Sequence, residues 1–337
     1  MKIALRSPNW IGDCVMALPA IYALKQSLPY SEIFIITKGY LKDFFQNIDE
    51  IEGVITIPDK VSISNITKVS KVIKSRGFDI GILFTNSFIS ALLFKVAGIK
   101  KNYGYNRDLR GFLLNSKIKF PKNEKHHRYF YLDLINNIFE TKITDISKNL
   151  IKFSIEEKAI AKRKMSEAGL NFEKKIIGLS TTAAYGDAKV WPSDMFTKLI
   201  KKFQKNYLDF QYVLFGSKKE SSKIDIIKNE IKYNCFNFAG ILTLRESMIG
   251  ISLCDIFVSN DSGLMHLADT LNIPLIGIFG PTIPHKTKPI GMQTEILYKK
   301  VSCSPCKHRE CPIDHKCMIN ITVEMVYNSI IKKINEK

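Results

Sequence analysis

Short apolar runs recur along this chain, each followed by a segment with helical spacing, and that alternation restricts its fold more than any other feature. In the first part, Lys2–Ser7, Ile33–Thr37, Gly53–Ile57 and Asp79–Thr85 read as buried strands. Cys14–Ser27, Leu41–Asn47, Ile63–Arg76 and Ser87–Ala97 read as the helices between them. Such a βαβα pattern gives a parallel sheet covered on both faces. A helix over roughly Lys125–Phe139, a polar stretch Glu140–Asn149 and a charged helix Glu156–Gly169 mark a junction, after which the pattern restarts. Lys175–Ser180, Phe210–Phe215, Cys235–Phe238, Asp255–Val258 and Pro274–Phe279 are the second set of strands. Asp194–Asn206, Ser221–Lys232, Leu244–Leu253 and Leu264–Leu271 are their helices. The expectation is an α/β protein of two doubly wound, Rossmann-like domains, 1–150 and 151–337, facing across a cleft, with ligand loops at the carboxyl ends of the strands. No internal sequence repeat accompanies this coarse likeness.

A length of 337 residues and 45% hydrophobic content suit two globular domains. The start, MKIALRS, meets Pro8 and Gly12 too soon for a secretory signal, and no apolar run approaches the roughly 18 to 20 residues that span a bilayer. A cytoplasmic protein, or one peripheral on the cytosolic side of a membrane, is expected. The net charge of +18 raises a nucleic-acid reading. Residues 1–150 carry 22 Lys/Arg against 13 Asp/Glu and residues 151–337 carry 28 against 19, a net +9 on each. So even a spread argues against a nucleic-acid stripe. Lys95–Arg128 stands out, with ten basic residues against Asp108 and Glu124, interleaved with Tyr103, Tyr105, Phe112 and Phe120. It suits an anionic acceptor or an anionic membrane surface.

Four strand-end turns carry candidate chemistry. Asn260-Asp261-Ser262-Gly263-Leu264 opens a helix with cap residues and a glycine, which presents backbone N–H groups and the positive end of a helix dipole to an anion such as phosphate. STTAAYGDAKVWP, Ser180–Pro192, offers the Thr181 and Thr182 hydroxyls and Lys189, a compact positive charge suited to a departing phosphate. In VLFGSKKE, Val213–Glu220, the acid is placed to accept from a ribose. RSPNWIGDCVMALPAIYALK, Arg6–Lys25, has Gly12 alone where a dinucleotide fingerprint needs three glycines. Asp13 at the helix start is either a cap or a general base. The missing fingerprint also speaks against an NAD-dependent dehydrogenase.

In order, NWIGDCVMALPA, FTNSFISALLFKVAGI, AYGDAKVWP, VLFGSKKE, FAGILTL, SNDSGLMHLA and GIFGPT resemble the ADP-heptose:lipopolysaccharide heptosyltransferases over nearly the whole chain. The resemblance implies an inverting GT-B glycosyltransferase with an ADP-heptose donor on its second domain and a lipid A core acceptor on its first, at the cytosolic surface of the inner membrane. It implies Asp13 as base and Lys189 as stabiliser of leaving ADP, with no cofactor required for catalysis. Thr181, Thr182 and the Ser262-Gly263-Leu264 backbone would hold the diphosphate, Asp261 the heptose, Glu220 the ribose, and Leu242 and Thr243 the adenine. His266 is read either as a phosphate contact or as a packed histidine. Asn9, Trp10, Lys100, Lys101, Arg107 and Arg110 are the expected acceptor contacts. The Asn86–Phe88 run and the cysteine tail favour an acceptor ending in the first heptose. Thr181-Thr182, where those enzymes often carry Pro-Gly, is more like the enzymes that act on Kdo. A related ADP-sugar transferase is the other reading.

Finally, CSPCKHRECPIDHKC places Cys303, Cys306, Cys311 and Cys317 at C-x₂-C-x₄-C-x₅-C. Four soft ligands in so short a span suit a structural zinc; the spacing leaves free thiols equally open, with a disulfide or an iron–sulfur cluster as the remaining readings. Cys14, Cys235 and Cys254 sit in apolar contexts and read as core residues.

Overall fold

The computed structural model of the chain describes residues 1–121, 125–144 and 150–336. Residues 122–124 of the basic stretch and 145–149 of the polar stretch lie outside the described residues. Packing divides the chain into Met1–Lys152 and Phe153–Lys337. The division falls two residues from the junction read in the sequence.

In the first unit, β1 (Lys2–Arg6), β2 (Glu32–Lys38), β3 (Gly53–Ile57), β4 (Ile80–Leu83), β5 (Lys101–Asn106) and β6 (Ser116–Lys119) form one sheet. All its pairings are parallel, and the order is β3-β2-β1-β4-β5-β6. The helices are α1 (Ile11–Ser27), α2 (Ile66–Lys74), α3 (Phe88–Val96) and α4 (His127–Phe139). In place of the helix expected over Leu41–Asn47 stands a 3₁₀ segment, Gly39–Phe45. Apolar residues of β1 to β4, such as Ala4, Ile36, Ile55 and Leu83, pack against Val69, Ile73, Leu93 and Phe94 of the covering helices.

The second unit begins with α5 (Ile155–Glu167), entered through a Ser154/Glu157 capping box. Its strands are β7 (Lys175–Ser180), β8 (Phe210–Leu214), β9 (Cys235–Asn237), β10 (Ile256–Asn260), β11 (Leu275–Phe279) and β12 (Thr294–Tyr298), in the order β12-β11-β10-β7-β8-β9. Its other helices are α6 (Ser193–Asn206), α7 (Ser221–Glu230), α8 (Leu244–Ser252), α9 (Gly263–Thr270), α10 (Pro284–Thr287), α11 (Lys316–Ile319) and α12 (Val323–Asn335). The same topology therefore occurs twice, although the sequence shows no repeat. In each sheet the first and fourth strands are neighbours, β1 with β4 and β7 with β10, so each has a point where the winding direction reverses. Ligands of open parallel sheets bind beyond the strand ends at that point. All four candidate turns lie at carboxyl ends of strands, three of them after β1, β7 and β10 at these reversals.

Candidate functional site

The second unit gathers its candidates around the β7/β10 reversal. Ser180 and Ser259 are register partners, and the turn after β10 returns Ser262 to both of them. Ser262 is the N-cap of α9, yet its side chain makes no cap bond. Its hydroxyl lies instead 3.2 Å from Ser180 Oγ and 3.0 Å from Ser259 Oγ. The first-turn N–H groups of α9, from Gly263 and Leu264, are thus not closed by a side-chain cap, which is what an anion site at a helix N-terminus requires. Thr181 Oγ1 is buried without a hydrogen-bond partner among the described residues. A ligand oxygen would satisfy it. Thr182 and His266 are also buried.

Lys189 Nζ lies 2.5 Å from Asp261 Oδ2, and their side chains are 15% and 6% exposed. Thr282 Oγ1 donates to the same Oδ2 at 2.7 Å. The lysine ends a 3₁₀ turn, Asp187–Lys189, that the cysteine-bearing tail holds from outside. Ala188 N–H donates to Arg309 O at 2.9 Å, His315 Nε2 lies 2.9 Å from Ala188 O, and Tyr185 Oη donates to Lys307 O at 2.9 Å. Behind the turn, Trp191 is fully buried. Its backbone N–H donates to Asn260 Oδ1 and its indole N–H to Ile321 O, tying the lysine loop to the end of β10.

Three expected donor contacts are engaged in local structure. Glu220 Oε2 accepts from the Ser217 N–H and hydroxyl, so it closes its own turn. Thr243 is the N-cap of α8 in a capping box with Glu246, and Leu242 is buried beside it. Gly240 at φ +74° abuts the Lys218 backbone, which packs the FAG turn against the Gly216 turn.

In the first unit α1 starts at Ile11, earlier than expected, so Asp13 stands inside its first turn rather than in the preceding loop. The carboxylate is favourably placed for the helix dipole. Tyr131 of α4, which the sequence did not single out, has its phenol pushed well up by burial and then by the charge of Asp13. Trp10 is half exposed and Asn9 Oδ1 accepts from Arg6 Nη2 at 2.6 Å, both at the carboxyl end of β1.

The other expected acceptor contacts divide. Arg107 follows β5 at the carboxyl edge, on the same side as Asn9 and Asp13. Lys100 and Lys101 stand at the opposite, amino end of β5, a strand length of roughly 15 to 20 Å away at about 3.3 Å per residue. They do not join the site. Arg110 does not face an acceptor either. It is fully buried, and its guanidinium donates to Tyr105 O at 3.0 and 2.9 Å, to Asn86 Oδ1 at 3.2 Å and to Thr85 O. Burial pulls its pKa down to about 10. Arg110 is a strut, and the chain before it turns through left-handed Asp108 and Leu109 at φ 51° and 57°.

The cysteine tail brings its thiols near one another without forming a converged ligand set among the described residues. Cys303, Cys306, Cys311 and Cys317 line one small cavity with His315, but among the described residues no three His, Cys, Asp or Glu side chains converge as ligands. All seven cysteines are free thiols. His315 is turned to Ala188 O, and the Cys317 thiol is pushed up to about 11 by burial and then by its three neighbouring cysteines.

A model of glycosyltransferase family 9 (heptosyltransferase) matches residues 66–317. The lipopolysaccharide heptosyltransferase 2 of Escherichia coli strain K12 is 28% identical, over 98% of this chain and 97% of that protein. The lipooligosaccharide heptosyltransferase 2 of Haemophilus ducreyi is 30% identical, over 88% of each. The solved structure of E. coli ADP-heptose lipopolysaccharide heptosyltransferase II superposes with a TM-score of 0.86 at 26% identity, covering 100% of this chain and 99% of that one.

Proposed function

The chain belongs to glycosyltransferase family 9, the heptosyltransferases, and we propose that it moves heptose from ADP-heptose to the first heptose of a lipid A-linked inner core. It is a heptosyl-transferring glycosyltransferase with two doubly wound domains of the GT-B class. The observation that carries the donor assignment is the buried constellation at the β7/β10 reversal: unpartnered Thr181 Oγ1, the open first turn of α9, and Lys189 held beside Asp261.

In the proposed reaction the Asp13 carboxylate takes the proton from an acceptor hydroxyl as that oxygen attacks the anomeric carbon. The bond from that carbon to the diphosphate oxygen breaks, and the configuration inverts. Negative charge develops on the departing ADP, where Lys189 and the α9 N–H groups stabilise it. Both Lys189 and Thr282 contact Asp261 through Oδ2, which leaves Oδ1 for a heptose hydroxyl. The protein's own cation and helix terminus answer the diphosphate charge, and no step is assigned to a metal.

The acceptor is lipid-linked, so the reading also places the work peripherally, at the cytosolic surface of the inner membrane. Arg107 and the exposed Leu109 and Phe112, carried on the turn that Arg110 anchors, support a membrane-facing edge. Among the described residues no helix is long and apolar enough to cross a membrane.

ADP release should be measured with two truncated acceptors, one ending in Kdo and one already carrying heptose. Turnover on the heptose-bearing acceptor alone is expected. Turnover on the Kdo acceptor alone would overturn the acceptor assignment, and turnover on neither would overturn the reaction.

A further inference from the structure

A cavity of about 160 Å³ opens at the carboxyl edge of the first unit's sheet, among the loops that follow β1 to β4. That volume is on the order of five waters. Arg6, Lys38 and Lys60 line it, Asp59 is the one carboxylate among its lining side chains, and Asn9 and Ser87 add an amide and a hydroxyl. The lining therefore carries an excess of two positive charges.

Arg6 is the unusual member. It follows the buried apolar run Ile3-Ala4-Leu5 at the end of β1 and is only 3% exposed. Its Nη1 donates to Ser7 O at 2.7 Å and to Ile36 O at 3.2 Å, and its Nη2 donates to Asn9 Oδ1 at 2.6 Å. Every one of these acceptors is neutral. Among the described residues no carboxylate pairs with Arg6. Burying a guanidinium without a counter-ion is costly, and such charges persist where an anion completes them. Lys38, half-buried at the end of β2, doubles the positive charge on the same cavity. The neutral bonds fix the guanidinium plane, and a fixed plane is what recognition of a two-oxygen or three-oxygen anion uses.

We propose that this cavity is an anion subsite for the acceptor, taking a carboxylate or a phosphate monoester carried by the acceptor saccharide between Arg6 and Lys38. Asn9 ties the subsite to the reacting centre, because it bonds Arg6 and stands four residues before Asp13 in the chain that enters α1. An anion held here sets the acceptor beside the first turn of that helix. The nature of the anion's carrier rests on the glycosyl-transfer reading; the demand for an anion rests on Arg6 and Lys38 alone.

Two measurements test the subsite. Inorganic phosphate is titrated by calorimetry into the full-length protein saturated with ADP, for wild type, Lys38→Gln and Arg6→Gln. Phosphate should bind the wild type and bind Lys38→Gln about tenfold more weakly, the usual loss for one charge-assisted hydrogen bond. Lys38 is partly exposed, so this variant reports even where Arg6→Gln does not fold. Equal affinity in wild type and Lys38→Gln, or no binding to either, overturns the proposal. In the second measurement, acceptor KM is compared for the intact acceptor, one with its sugar carboxylates reduced to alcohols, and one treated with phosphatase. A rise of about tenfold in acceptor KM that is confined to one modified acceptor, and absent in Lys38→Gln, names the anion. Equal KM for all three acceptors overturns an acceptor role. If wild type turns over no acceptor, the glycosyl-transfer reading fails while the phosphate titration still decides the subsite.

Discussion

Replacing Gly186 with alanine should both destabilise the second unit and slow transfer, because this residue is where the cysteine tail presses on the lysine loop. Gly186 stands at φ +150°. A Cβ there would fall inside contact distance of the Arg309 carbonyl oxygen, 3.0 Å from Arg309 C and 2.9 Å from Arg309 Cβ. The neighbour is backbone and cannot rotate away. Either the alanine keeps a backbone conformation that costs an L-residue about 1 to 3 kcal/mol, or the two segments part. Parting gives up the Ala188 N–H to Arg309 O bond and the His315 contact with Ala188 O, each worth about 0.5 to 1.5 kcal/mol. With some overpacking in either case, a loss of about 2 to 4 kcal/mol follows. At ~2 to 4 °C per kcal/mol for a unit of this size, Tm falls by roughly 4 to 16 °C. Lys189 is three residues on, and a displacement of about 1 Å at a charge-stabilising group costs on the order of 10² in rate. The assays are a thermal melt and ADP release under saturating substrates, with Gly39→Ala, whose Cβ meets nothing within 4 Å, as the control. A Tm within about 1 °C of wild type together with an unchanged rate would refute the view that the tail braces the loop.

Lys189→Met should lower kcat by about 10² to 10³, the usual loss of one donor to developing charge. It should also lower Tm, since Asp261 is left buried without its cation. Adding Asp261→Asn should recover part of that Tm in the same melt. Glu246 is pushed up by burial, but hydrogen bonds from Lys164 Nζ and the Thr243 N–H outweigh this and hold its carboxyl below the usual value. A depressed folded pKa contributes stability that is complete above the unfolded value, near 4.5, and is lost as pH falls through the folded one. Denaturant titrations at stepped pH should therefore show wild type more stable than Glu246→Gln at pH 7 and the gap closing below about pH 4. Because the tail cysteines do not converge as ligands, prolonged chelation should leave Tm unchanged within about 1 °C; a larger fall would restore a metal to the tail.

The central strands were legible because they are buried on both faces and read as continuous apolar runs, as in β7 and β10. KNYGYN and SKIK were not, since β5 and β6 lie toward one edge of their sheet and carry polar residues through it. Missing them had a consequence for the site. Without β5, Lys100 and Arg107 look like neighbours in one basic stretch, whereas the strand sends them to opposite ends of the sheet. Arg110 misled for a related reason: composition does not distinguish a solvated arginine from a buried one held by backbone carbonyls and a side-chain amide. The positions of Asp13, Lys189, Asp261 and the α9 turn beyond the carboxyl ends of strands were legible because those strands are recognisable apolar runs. Thr282 and His315 were not, for they meet the lysine loop only through tertiary contact. Arg6 did leave a signal, a charge directly after the apolar run Ile3-Ala4-Leu5.

The central claim is that Asp13 removes the acceptor proton while the second unit alone holds ADP. It is tested most directly by measuring kcat and ADP affinity side by side for wild type and Asp13→Asn. A fall of about 10² to 10⁴ in kcat with ADP affinity unchanged is the predicted result. An unchanged kcat, or ADP affinity falling in step with the rate, would contradict it.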